Sequence, residues 1–222
     1  MNPSQYLTDP WAIDGELNPH LAAAANNYLD LLESFIDHSA SWGVFTLLDM
    51  HRVQNNILHI SFPLDHELVS FQDIEVAWKI LAERFCNSWS VMGADLLNEP
   101  LNVSWGDNGP YDWRSMAENL ANIVTLSCPK WLLMVEGEDT LDEEVSPLSS
   151  TEFIPWGSVL TNARVSPIRI LNPEKLVYSP HMYGPGTIGA TVSWMPFKDE
   201  ANILCDCRLD SSVAGELCKG TG

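Results

Sequence analysis

Five short apolar runs, each breaking abruptly into polar residues, set the strongest limit on the fold of this chain. They are Val44–Met50, Val91–Leu97, Trp131–Val135, Leu176–Ser179 and the short Val213–Gly215, and their polar ends fall at 51, 99, 136, 181 and 216. The spacings of 48, 37, 45 and 35 residues suit one strand, one helix and their loops, repeated without sequence similarity. Between the runs, Tyr28, Leu31, Leu32, Phe35 and Ile36 recur at helical spacing and predict a helix over 21–39. Ile74, Ala77, Trp78, Leu81 and Phe85 do the same for 74–85, and Met116, Leu120, Ile123 and Val124 for 113–127. Strands alternating with helices imply a parallel sheet with right-handed crossovers. Every strand end carries polar residues and none carries a glycine-rich nucleotide turn, which favours an α/β barrel over a doubly wound sheet. A closed barrel of this kind takes about eight strands. The five runs therefore predict an incomplete (β/α)8 TIM barrel in one domain. Residues 1–20 read as a loop, and Pro147, Pro155, Pro167 and Pro173 predict largely irregular chain over 145–175.

Charge narrows the partners. The 222 residues hold 30 Asp+Glu against 11 Lys+Arg, a formal net charge of −19. Nucleic acid and anionic membrane both call for a basic face, so neither is expected as a partner. No apolar run approaches the length of a membrane span, and the opening Met-Asn-Pro-Ser-Gln has neither the basic nor the apolar region expected of a secretory signal peptide. Five cysteines form neither a dense disulfide framework nor a paired CxxC metal pattern. Nine tryptophans supply broad apolar faces with one donor each, suited to a core and equally to a flat amphipathic ligand.

The chemistry is concentrated at the strand ends. Val91-Met-Gly-Ala-Asp-Leu-Leu runs apolar and then turns at Asn98-Glu99-Pro100, so Glu99 stands at the C-terminal lip of a buried strand, where parallel α/β folds keep their reactive groups. Taken singly, a Glu at a strand end is usually a solvated loop acid. Two carboxylates on different strand ends, accompanied by His and Tyr, are what cleavage of a glycosidic bond requires. One protonates the leaving oxygen and the other attacks the anomeric carbon, while Asn98 is placed to hydrogen-bond a sugar hydroxyl.

Three segments carry a family resemblance: Leu47-Leu-Asp-Met-His-Arg52, Gly93-Ala-Asp-Leu-Leu-Asn-Glu-Pro100 with Trp105-Gly106, and Leu176-Val-Tyr-Ser-Pro-His-Met-Tyr183. Together with Asp112-Trp113-Arg114 and Val135-Glu136-Gly137 they resemble glycoside hydrolase family 5, and within it the endo-β-1,4-glucanases. The resemblance implies a retaining hydrolase of β-1,4-glucan that needs no metal or organic cofactor. It implies Glu99 as general acid/base, kept protonated by its surroundings and a nearby carboxylate. His51, Asn98, His181 and Tyr183 are implied as substrate contacts, with Trp105 as a sugar platform in the loop after the acid. Glu136 matches a fifth-strand position without an assigned role. The nucleophile is expected in an apolar-Gly-Glu word some way after a Met-Pro; Met195-Pro196 and Val213-Ala-Gly-Glu216 make Glu216 the candidate.

The match is good over 21–185 and poor over 186–222, where Leu217-Cys218 replaces the usual aromatic and glycine. In the family's terms the chain holds equivalents of the third to seventh strands. The first two, with an arginine that supports the nucleophile, are expected upstream, and the eighth, with a tryptophan, downstream. The competing reading is a truncated, inactive relative that only binds glycan or does not fold alone. By resemblance the complete protein is expected to be extracellular and monomeric.

Overall fold

A computed structural model of the protein describes residues 19–53, 60–64, 69–138 and 157–181. It opens with two helices, α1 (Pro19–Ala24) and α2 (Tyr28–Ser41), in place of the single helix predicted over 21–39. The break has a local cause. The Asn27 side chain accepts the Asp30 N–H at 3.0 Å and caps a new helix, the competition that Asn offers to a continuing helix.

The chain then runs through β1 (Thr46–Asp49), the short β2 (Ile60–Ser61), α3 (Phe71–Phe85), β3 (Val91–Asp95), the short β4 (Pro100–Leu101), α4 (Trp113–Ser127), β5 (Leu132–Val135) and β6 (Leu176–Tyr178). The strands β1, β3, β5 and β6 form one parallel sheet in that order. Each main strand thus lies beside the next one along the chain, as successive β/α units require. β2 and β4 pair separately, in parallel, as a two-stranded sheet. Two 3₁₀ turns, Thr161–Arg164 and Pro173–Lys175, are the regular structure within the otherwise irregular 157–175. The strand expected near 213–216 lies outside the described residues.

The helices are held where their sequences say. α3 starts at a reciprocal cap: Asp73 N–H donates to Ser70 Oγ at 3.3 Å and Ser70 N–H to Asp73 Oδ2 at 2.8 Å. Its buried stripe of Ile74, Trp78, Leu81, Ala82 and Phe85 follows the helical period. α4 buries Trp113, Ala117, Leu120, Ala121 and Val124. Two indoles of these stripes also donate into the sheet's upper end, Trp78 to the Leu96 carbonyl and Trp113 to the Glu136 carbonyl, each at 2.9 Å. The core thereby sets the main chain at the lips of β3 and β5 directly.

At the sheet's other end, Cys86 and Cys128 cap the C-termini of α3 and α4 and are joined by a disulfide, with their Cα atoms 5.3 Å apart. The loop leaving β4 is organised by one buried carboxylate. Asp112 caps α4 and also accepts the N–H groups of Gly106 at 2.7 Å and Asn108 at 3.0 Å. Against the burial that opposes it, these donors hold Asp112 below the usual carboxylate range.

Candidate active site

Just past the last residue of β3 the chain stops being a strand while staying buried. Asn98 and Glu99 are only 3% and 4% exposed. Asn98 N–H donates to the Met50 carbonyl at 3.2 Å, which ties the lip of β3 to that of β1 next to His51. Glu99 has a φ of 47°, in the left-handed region that a β-carbon disfavours. The structure shows what holds it there: Glu99 N–H donates to Glu136 Oε2 at 2.7 Å.

Glu136 follows β5 and is 1% exposed. Its second oxygen, Oε1, lies 3.0 Å from Nε2 of His181, and Nδ1 of the same ring lies 2.9 Å from Glu99 Oε1. His181 follows β6 and is fixed through its own main chain, its N–H donating to the Gly157 carbonyl at 3.1 Å and its carbonyl accepting Ser158 Oγ at 2.7 Å. Three strand ends therefore close a ring: Glu99 main chain, Glu136 carboxylate, His181 imidazole, Glu99 carboxylate.

The ring's charge state follows from its geometry. With each nitrogen facing a carboxylate, the imidazole is held in its charged form; the Glu136 contact chiefly, with Glu99 adding and burial opposing, pushes His181 up to about 9. Burial pushes Glu136 upward, while His181 and the Glu99 N–H pull it back. Oε2 of Glu136 thus accepts the Glu99 N–H, while Oε1 faces the His181 ring as an ion-pair partner. Asp95, the last residue of β3, is raised to about 7 by burial and by the negative charges of Glu136 and Asp49, with His181 opposing. A second carboxylate is the neighbour expected beside Glu99; the structure places the His181 ring 2.9 Å from its carboxylate.

Gly157 seals this ring from one side. It has a φ of 71°, and a β-carbon there would lie 2.5 Å from Glu136 Oε2. Gly137 likewise admits close main-chain contact: its N–H donates to the Gly157 carbonyl at 2.9 Å, and a β-carbon would stand 2.5 Å from Val159 N. Asp95, Glu136 and His181 each offer a ligand atom within 4.8 Å of the others, the spacing of a cation site. Both ring nitrogens already face carboxylates, so the imidazolium fills the place a cation would take.

The remaining sequence-derived candidates divide clearly. His51 lies at the lip of β1, its Nδ1 2.6 Å from Asp49 Oδ2 and its side chain 60% exposed, open to a ligand. Trp105 is corrected. It is 7% exposed, its Nε1 donates to the Ser166 carbonyl at 2.7 Å, and its ring packs near Tyr178. Buried with its donor engaged, it packs the loop against the core and presents no open face to a sugar. Tyr183 and Glu216 lie outside the described residues. Sequence reasoning left Glu136 without a role and did not reach Gly157. The strand-end word Val135-Glu136-Gly137 was a signal for the first; the second follows a proline-rich stretch with no periodic pattern.

The family model for cellulase, glycosyl hydrolase family 5, matches residues 6–215. The chain belongs to glycosyl hydrolase family 5. Its β/α sheet is accordingly part of a (β/α)8 barrel, with the ring at the C-terminal face. Among the relatives, an endoglucanase of Paenibacillus polymyxa is 34% identical over 183 residues, spanning 80% of this chain and 43% of that protein. The major extracellular endoglucanase of Xanthomonas campestris pv. campestris is 31% identical over 186 residues, spanning 80% and 35%. Among solved structures, an endocellulase from the archaeon Pyrococcus horikoshii superposes with a TM-score of 0.63 at 33% identity, covering 78% of this chain and 48% of that one. A cellotetraose complex of the same endocellulase gives 0.65 at 30% identity, with the same coverage. The chain thus spans less than half the length of each of these relatives.

Proposed function

We propose that this family 5 chain carries the acid/base half of a retaining β-1,4-glucanase site, in a single catalytic domain. The observation that carries the reading is Glu99: a buried carboxylate at a strand's C-terminal lip, fixed at its main chain by Glu136 and at its side chain by His181. The endoglucanase relatives and the neighbour solved with cellotetraose support β-1,4-glucan as the substrate class.

In this reading Glu99, as general acid, gives a proton to the departing glycosidic oxygen. It then takes one from the water that releases the sugar. Glu216 is the proposed nucleophile and Tyr183 its neighbour. Asn98 and His51, at adjacent strand lips, are the proposed contacts to the sugar ring, with His181 lining the same lip. The net charge of −19 suits a neutral polysaccharide and disfavours nucleic acid. The Cys86–Cys128 disulfide supports an oxidising, extracellular setting, and a monomer suffices for the chemistry.

Release of reducing sugar from soluble β-glucan tests this. The full chain is expected to be active, and Glu99→Gln to lose roughly 10²–10⁴-fold, the usual share of general acid/base catalysis. Equal activity in the parent and Glu99→Gln would remove Glu99 from the mechanism.

A further inference from the structure

We propose that Glu136 is the positioning residue of this site, clamping Glu99 at the main chain directly and at the carboxylate through His181. The inference rests on the assignment of Glu99 as acid/base and gives a role to a carboxylate that need not touch substrate. A buried acid with no part in binding or bond cleavage is costly to keep, so its two contacts call for an explanation.

The contacts are complementary. Oε2 takes the Glu99 N–H at 2.7 Å and thereby holds the residue at its left-handed φ of 47°. Oε1, 3.0 Å from His181 Nε2, keeps the ring charged and turned so that its other nitrogen reaches Glu99 Oε1. Glu136 is itself held at its main chain, where its carbonyl accepts the Trp113 indole, and its carboxylate packs close to the Gly157 backbone, where a β-carbon would stand 2.5 Å from Oε2. Outer partners of this kind fix the orientation of the groups that react and typically contribute about 10–100-fold to activity.

The groups facing the clamp are Glu99 from β3's lip, Asp95 from β3's last position, Asp49 from β1 and His181 from β6's lip. Of these, His181 alone gains charge from Glu136. Glu136→Gln keeps the volume and an oxygen for the Glu99 N–H, but removes the charge that holds His181. NMR titration of the full chain then reads the side-chain arm without any turnover. The His181 midpoint near 9 is expected to fall by at least about one pH unit.

Kinetics read the consequence. With phenyl β-cellobioside, whose leaving group needs a proton, kcat/KM is expected to fall about 10–100-fold through kcat. With dinitrophenyl β-cellobioside, whose leaving group needs none, it should change less than about 3-fold. A merely structural loss would lower both alike and leave the His181 midpoint in place. Should Glu136→Gln not fold, Glu136→Asp withdraws the same charge by one methylene and is expected to show the same pattern.

An unmoved His181 midpoint overturns the clamp, and so do parallel losses on the two glycosides. Glu99→Gln with undiminished activity on phenyl β-cellobioside overturns the Glu99 assignment itself, and the clamp with it. The two failures are therefore distinguishable.

Discussion

Cutting the Cys86–Cys128 bond is expected to destabilise the fold by an amount that the topology sets. The bridge closes a loop with a sequence separation of 42 residues. A loop of that length loses roughly 13 cal/mol/K of unfolded-chain entropy, or about 4 kcal/mol at 25 °C. Measured values for native bridges scatter around roughly 2–5 kcal/mol, and Cys128 is buried, so removal also leaves a small void. For a chain of this size about 2–4 °C of Tm follows each kcal/mol, and Cys86→Ala/Cys128→Ala should melt roughly 5–15 °C below the parent. The assay is thermal unfolding of the full chain by circular dichroism, with and without reductant. Reductant should bring the parent down to the double variant and leave the double variant unmoved. A parent and a double variant agreeing within about 1 °C would refute the reasoning. So would a double variant that still responds to reductant, because the stabilising bridge would then lie between other cysteines.

Other perturbations follow from the same geometry. Gly157→Ala puts a β-carbon 2.5 Å from Glu136 Oε2 at a positive φ; a loss of about 1–3 kcal/mol in urea unfolding is expected, with activity falling alongside, and a neutral result would mean the ring tolerates displacement. Stability should fall as pH rises. The folded state binds more protons than the unfolded one at Asp95 (about 7 against 3.8) and at His181 (about 9 against 6.5). The Asp95 contribution is thus full below about pH 4 and lost through 7, and the His181 contribution is full below about 6.5 and lost through 9. Urea midpoints measured from pH 4 to 10 should decline across that window, and a rise would contradict the sign.

What could be read from residues alone was what depends on period and on short words. α3, β3 and α4 were legible because Ile74 to Phe85, Val91 to Asp95 and Trp113 to Val124 follow their own repeat. The division at Asn27 was not, because an alanine-rich run argues for helix while one side-chain oxygen caps a new one. The pairing of Cys86 with Cys128 was equally out of reach: it depends on how two helix ends are set side by side by the sheet. In the site, Asn98, Glu99, His51 and His181 were named from words at strand ends. Their connection through Glu136 was hidden, since it needs three strands in register and a glycine twenty-one residues further on. Trp105 misled for a plain reason. A tryptophan in a loop beside an acid looks the same in sequence whether its indole faces solvent or a carbonyl.

The left-handed main chain at Glu99 has a use beyond this protein. Among the described residues three others than glycine have positive φ, and the other two, Asn102 and Asn108, belong to the type that tolerates it locally. Glu has no such tolerance, so its torsion marks a place where surrounding structure overrides local preference. In a parallel α/β chain with no recognisable words, a carboxylate residue with such a torsion at a strand's exit could be picked out from backbone coordinates alone. That turns one dihedral angle into a search image for reactive acids in sequences too diverged to align.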